Sequence, residues 1–336
     1  MSSWPESCVL HIGAPKTGST ALQAFLTANR DALMRHGCCY PEVSLRGFGH
    51  HDLAFLVGGG YPHWATTQER TLESLQCEFA DSFKRAPKAV LSSENFYLQP
   101  APEATLRLLT KAGVPSSAIT VVVYIRRQDE AHLAWYNQAV KAQGYAGSLE
   151  DSIGETLGLW DYDRQLQPWA DTFGAERLVV RIFDLPSLKT GDIRHDFLEI
   201  LGLPPDDFAF DQKPVNTGLN ADLLAFQREL NRLPLSPQEK RLFHKDLMAL
   251  SRLTAGTGLF NDSPTLTAAR RREILASYEA ANERLAKRLG REKLFEPPET
   301  EGDDTGGSAV GDPVLSIDKL ATIIGWLLIQ RERLEE

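Results

Sequence analysis

The chain has few cysteines, no long apolar run and no surplus of positive charge, and each shortage removes a class of function. Four cysteines in 336 residues, Cys8, Cys38, Cys39 and Cys77, show no C-x-x-C spacing, and the vicinal Cys38-Cys39 pair is badly placed for a framework disulfide. Reduced thiols in a cytosol are the expectation. No segment reaches the roughly 20 apolar residues of a membrane-spanning helix, and the opening MSSWPESCVLHIG has neither the basic start nor the apolar length of a signal peptide. A cytoplasmic protein without a membrane span is expected. With 36 basic against 45 acidic residues the net charge is -9, which gives no general attraction to nucleic acid or to anionic membrane. Any anionic ligand must be held by a local cluster.

One stretch can supply that cluster. His11-Ile-Gly-Ala-Pro-Lys-Thr-Gly-Ser-Thr20 joins a short apolar run, Cys8 to Ile12, to a helical pattern. Gly13, four intervening residues and then Gly18-Ser19-Thr20 give the spacing of a nucleotide-triphosphate loop, G-x-x-x-x-G-K-[ST], whose backbone N–H groups point inward at an anion. The lysine is displaced. Ser19 stands in its usual place, and the nearby lysine is Lys16, inside the loop after Pro15. A charge there meets a group projecting from the other side of the first phosphate.

The run Pro15-Lys16-Thr17-Gly18-Ser19-Thr20 resembles the 5′-phosphosulfate loop of sulfotransferases that use 3′-phosphoadenosine 5′-phosphosulfate (PAPS), which typically reads Pro-Lys-(Ser/Thr)-Gly-(Ser/Thr)-Thr. The family's second signature, around the nucleotide 3′-phosphate, is an arginine ending a strand with a serine eight residues on; Arg126 fits the first half, and position 134 is Ala. A guanidinium holds phosphate bidentately, the larger and charge-assisted contact. The hydroxyl absent at Ala134 forfeits one neutral hydrogen bond, roughly 0.5 to 1.5 kcal/mol. The likeness covers roughly residues 8 to 290. It implies PAPS as co-substrate with no metal, Lys16 stabilising charge on the bridging oxygen, and the N–H groups of Gly18, Ser19 and Thr20 holding the 5′-phosphate.

Hydrophobic patterning gives the frame. Strands are predicted at Cys8 to Ile12, from Lys88 towards Glu94, at Ala118 to Ile125 and at Arg177 to Phe183, with helical patterns between them. The third, β-branched and apolar on both faces, suits a central parallel strand. Such alternation implies an α/β fold: an open parallel sheet with helices on both faces, the three-layer arrangement of P-loop proteins, joined by right-handed crossovers. From about 205 helices alone continue, read as a helical C-terminal cap on one domain over 1–296; 297–313 reads as a flexible linker and 314–336 as a C-terminal helix. That helix carries the apolar stripe Ile317, Leu320, Ile324, Leu327 and Leu334, which suggests self-association or docking onto the body.

Ligands of such sheets bind outside the carboxyl ends of the strands. There lie the 13–20 loop, Ser92-Ser93-Glu94, Arg126-Arg127 and Asp184. Transfer to a hydroxyl needs a base, and Glu94 is the first candidate, with His51 and His50 as rivals. The acceptor, a small molecule, lipid or carbohydrate, is not identified; Tyr61, His63 and Trp64 either line its cleft or form a surface loop. Two other functions stay open: a kinase or nucleotide hydrolase using ATP and magnesium, and a nucleotide-binding module without catalysis.

Overall fold

The computed structural model describes residues 5–63, 65–210, 218–261, 266–297 and 315–335. The chain divides into two compact units, one gathering Met1–Arg126, Asp161–Lys213 and Ala280–Phe295, the other Arg127–Trp160, Pro214–Glu279 and Glu296–Glu336.

The first unit holds the sheet. Its strands are β1 (Ser7–His11), β2 (Cys38–Cys39), β3 (Lys88–Ser92), β4 (Ile119–Ile125) and β5 (Leu178–Ile182), in the order β2-β3-β1-β4-β5. All neighbouring pairs are parallel. β1 is central, and His11 pairs with Ser92 on one side and Val122 on the other, so the carboxyl ends of three strands converge at one edge. Alternation along the strands divides the core. Val9, Val90, Val122 and Tyr124 pack with Leu22, Phe25 and Leu26 of the helix Ser19–Ala28 and with Phe197 and Leu198 of the helix Ile193–Leu201. Leu10, Leu91, Val121 and Val123 are buried on the other face, where the helix Tyr162–Phe173 lies against β4 and β5. Each such leucine or phenylalanine contributes about 1.5 to 3 kcal/mol. The α/β architecture is the one the patterning predicts.

Three local details differ from the patterning. β2, a two-residue strand at the sheet edge, is too short to leave a periodic signal. The helix after the loop breaks at Asn29, whose side chain donates to the Phe25 and Ala209 carbonyls and accepts from the Ala209 N–H. Tyr162–Phe173 runs through Pro168. Its start is fixed by Asp161, which accepts from the Arg164 N–H in the capping manner.

The second unit is helical among the described residues. The helix Gln128–Gln138 runs into a π turn at Ala139–Gln143; Leu149–Thr156, Ala221–Asn231, His244–Leu253, Ala268–Ser277 and Ile317–Glu335 follow. Buried Asp129 takes two hydrogen bonds from Arg127, at 2.7 and 3.0 Å, and one from Arg271 at 2.6 Å. Burial works to raise its pKa, but those bonds outweigh it and hold the carboxyl below its usual range. The C-terminal helix docks within this unit. Lys319 Nζ reaches buried Asp222 at 2.6 Å, the Trp326 indole donates to the Asp246 carbonyl at 3.1 Å, and Ile323 and Leu327 are buried. The anticipated stripe is split, because Ile317 and Ile324 face outward. The linker beyond 297 and the Leu334 side chain lie outside the described residues.

Candidate active site

The loop between β1 and the helix Ser19–Ala28 is shaped by close backbone packing. Gly13 has φ +27°, and a Cβ on it would sit 2.8 Å from Ser19 Oγ and 2.9 Å from the His11 ring. Gly18 has φ +79°, and its Cβ would meet Phe183 Cε2 at 2.8 Å. Only glycine meets both demands at each position. Lys16 adopts the left-handed region as well, at φ +65°, a conformation that costs a non-glycine residue roughly 1 to 2 kcal/mol and persists where the surroundings impose it. Thr17 helps impose it by donating to the Ala14 carbonyl at 2.7 Å. Gly18 starts the helix with no side-chain cap, so the positive end of the helix dipole and its first N–H groups open towards the loop.

Next to β1, the end of β3 carries polar side chains. Gln23, on the loop's own helix, donates through Nε2 to Glu94 Oε2 at 2.9 Å and to Ser92 Oγ at 3.2 Å. Ser92 Oγ in turn lies 2.7 Å from His11 Nδ1. Burial pushes the pKa of His11 down to about 4, although the charge of Glu94 pulls the other way, so the ring is neutral at physiological pH.

The two candidate bases come together. His51 Nδ1 lies 4.0 Å from Glu94 Oε2, 2.7 Å from Ser93 Oγ and 2.9 Å from Asn95 Nδ2. Ser93 Oγ already accepts from the Asn95 N–H at 3.1 Å, which leaves its own hydrogen to go to His51 Nδ1. With Nδ1 accepting from Ser93 and Asn95, the ring's hydrogen lies on Nε2, the nitrogen that can donate. His50 has a different place. Its Nε2 meets the Pro41 carbonyl at 3.0 Å, its Nδ1 accepts from the Ser92 N–H at 3.1 Å, and burial pushes its pKa down to about 3. Both nitrogens are spent on backbone, so it fixes the loop over β3.

The arginine pair separates. Arg126 ends β4, where its backbone exchanges hydrogen bonds with the Tyr162 hydroxyl, and its guanidinium stands 6.0 Å from the centre of the Phe183 ring, the ring that packs on Gly18. Arg127 is engaged with Asp129 in the helical unit. Ala134 lies half-buried on the helix Gln128–Gln138. Tyr61 packs against Phe55 and under Arg46, and Trp64 lies outside the described residues. Among the described residues no three His, Cys, Asp or Glu side chains gather as metal ligands would, and no helix is long and apolar enough to cross a membrane.

Gln23 and Phe183 carry no signal of a site in the sequence, and Ser92 and His11 stand in marked stretches without a role of their own. Their partners stand 69 to 81 residues away for the polar three, and no local pattern encodes such pairs.

No family model matches the chain. It is 29% identical over 133 residues to an uncharacterized protein of Archaeoglobus fulgidus, a stretch that is 39% of this chain and 36% of that protein's length. In structure it is similar to a sulfotransferase from Alicyclobacillus acidocaldarius, with 14% identity, 87% of this chain and 98% of that one covered, and a TM-score of 0.47.

Proposed function

We propose that this chain is a sulfotransferase that moves a sulfuryl group from PAPS to an acceptor hydroxyl or amine by in-line displacement. The observation that carries the proposal is the loop itself. Its lysine sits inside the turn, with the backbone strained at that residue, while a buried serine takes the place where a nucleotide-triphosphate loop keeps its lysine. Two buried polar atoms that make no hydrogen bond, Ser19 Oγ and His11 Nε2, lie beneath Gly13. Together with the uncapped helix start they suit an oxyanion in the loop.

In this mechanism the acceptor oxygen or nitrogen forms a bond to sulfur as the bond from sulfur to the bridging oxygen breaks, and adenosine 3′,5′-bisphosphate leaves. Lys16 stabilises the charge that develops on the bridging oxygen, and the N–H groups of Gly18, Ser19 and Thr20 hold the 5′-phosphate. Arg126 holds the 3′-phosphate. Glu94 takes the acceptor's proton, and Gln23 keeps that carboxylate aimed. His51, whose Nε2 carries the hydrogen, orients the acceptor by donating to it. The acceptor class extends to small molecules, lipids and carbohydrates.

Thermal stabilisation tests the donor. Adenosine 3′,5′-bisphosphate is expected to raise Tm more than ATP does, without magnesium, and to lose that effect in Lys16→Ala. A preference for magnesium-ATP would establish the kinase or hydrolase reading instead. Binding of the bisphosphate without turnover of PAPS on any acceptor supports a non-catalytic module.

A further inference from the structure

The hydrogen bonds around Gln23 have a direction. A carboxylate only accepts, so the Glu94 contact at 2.9 Å fixes which end of the Gln23 amide is nitrogen. That NH₂ has a second hydrogen, which goes to Ser92 Oγ at 3.2 Å. The Ser92 hydroxyl is buried, accepts from Gln23, and has one hydrogen to give. His11 Nδ1, at 2.7 Å, is its acceptor; were that nitrogen to carry the hydrogen, the Ser92 proton would be buried without a partner, at a cost of about 1 to 3 kcal/mol. His11 is thereby set as the Nε2–H tautomer. Its Nε2 is buried and makes no hydrogen bond, and neither does buried Ser19 Oγ; both lie within 3.0 Å of the single point that a Cβ on Gly13 would occupy.

We propose that Gln23, Ser92 and His11 form a directed run of donors whose last hydrogen, on His11 Nε2, is offered together with the Ser19 hydroxyl to the oxyanion held by the Pro15–Thr20 loop and positions it from beneath. The inference rests on the reading of that loop as an oxyanion site. Gln23 is the branch point: one hydrogen holds Glu94, the other begins the run through Ser92 to His11, whose Nε2–H and the neighbouring Ser19 hydroxyl both donate to the bound anion. Each link is polarised by the one before it. The positions of the carboxylate and of the loop anion are thus set by one amide, through neutral groups only. Ser92 and Gln23 are positioning residues, and His11 and Ser19 are the ones that touch the ligand.

Two measurements test this on the full chain. Long-range ¹H–¹⁵N correlation spectra of [¹⁵N]histidine-labelled protein are expected to show His11 as the Nε2–H tautomer, and an Nδ1–H ring overturns the chain. Binding of adenosine 3′,5′-bisphosphate is expected to weaken by about three- to tenfold in Gln23→Leu and in Ser92→Ala, the loss of one neutral hydrogen bond. The double variant should be no weaker than the worse single one, because both cut the same run. His11→Gln, which returns an amide donor near the Nε2 position, should bind better than His11→Leu. Multiplicative losses in the double variant, or unchanged binding in both singles, overturn the proposal while leaving the donor assignment in place. If the wild type takes sulfate but not the bisphosphate, the donor assignment fails, and the same variants measured with sulfate support or overturn the chain.

Discussion

Replacing Gly18 by alanine separates backbone strain from a steric demand of the site. The new methyl would stand 2.8 Å from Phe183 Cε2, 3.2 Å from Cζ and 3.3 Å from Ile193 Cδ1, at a φ of +79°. Gly47 is the control. Its φ is +62°, yet a Cβ there meets nothing within 4 Å. Gly47→Ala should therefore lose only the left-handed cost, about 1 kcal/mol. Gly18→Ala adds the displacement of a ring packed on the loop, about 1 to 3 kcal/mol more. Urea unfolding reads both as shifts of midpoint at constant m. Gly18→Ala combined with Phe183→Leu should recover part of the second cost but none of the first. If Gly18→Ala comes within about 0.5 kcal/mol of Gly47→Ala, Phe183 does not brace the loop and the account of its shape is wrong.

Other perturbations address the chemistry and the second unit. Glu94→Gln keeps an acceptor for Gln23 but loses the base, so turnover should fall on the order of a hundredfold or more while bisphosphate affinity holds; loss of turnover in His51→Ala with Glu94→Gln fully active would transfer the role to the histidine. Lys319→Met leaves buried Asp222 with Asn261 alone and should destabilise the helical unit by about 3 kcal/mol, with Asp222→Asn restoring part of it; no change in urea midpoint would mean that the C-terminal helix is not anchored there. Buried neutral histidines govern the pH response: His11, His50 and His132 have folded pKa values of about 4, 3 and 4, below the unfolded value of about 6.5. Unfolding at pH 5 therefore takes up protons, and stability should be full above about pH 6.5 and decline on acidification. Below about pH 4 the depressed carboxyls of Asp129 and Asp196 add a further loss as each is protonated. Stability that stays level from pH 7 to pH 5 would refute the histidine contribution.

What could be read from the sequence was what local physics forces. The strands of the sheet interior announce themselves because both faces must be apolar, and Gly13 and Gly18 because few residues tolerate the backbone there. Glu94 was visible as a carboxylate at a strand end. The partners were not. Arg126 and Arg127 look alike in sequence, yet one ends β4 beside Phe183, 57 residues along the chain, and the other is taken by Asp129, which Arg271 also reaches. Asn29 reads as an ordinary helical position until Ala209 arrives to claim its amide. Gln23 sits in an apolar-spaced helix where glutamine suggests a solvated face, and it is buried.

The threefold interleaving of the two units has a consequence for how the protein comes into being. The sheet unit is not finished when β5 leaves the ribosome. Its last stretch, Ala280–Phe295, brings Arg284 and Arg288 to Asp163 and Arg291 to the Val180 carbonyl. β1, the earliest of the five strands, lies at the centre of the sheet between β3 and β4. A nascent chain halted before residue 280 already has all five strands but lacks the segment that carries Arg284, Arg288 and Arg291, so Asp163 and the Val180 carbonyl are without those partners. Completion of the sheet unit therefore waits for its third segment, and neither unit can be released by a single cut.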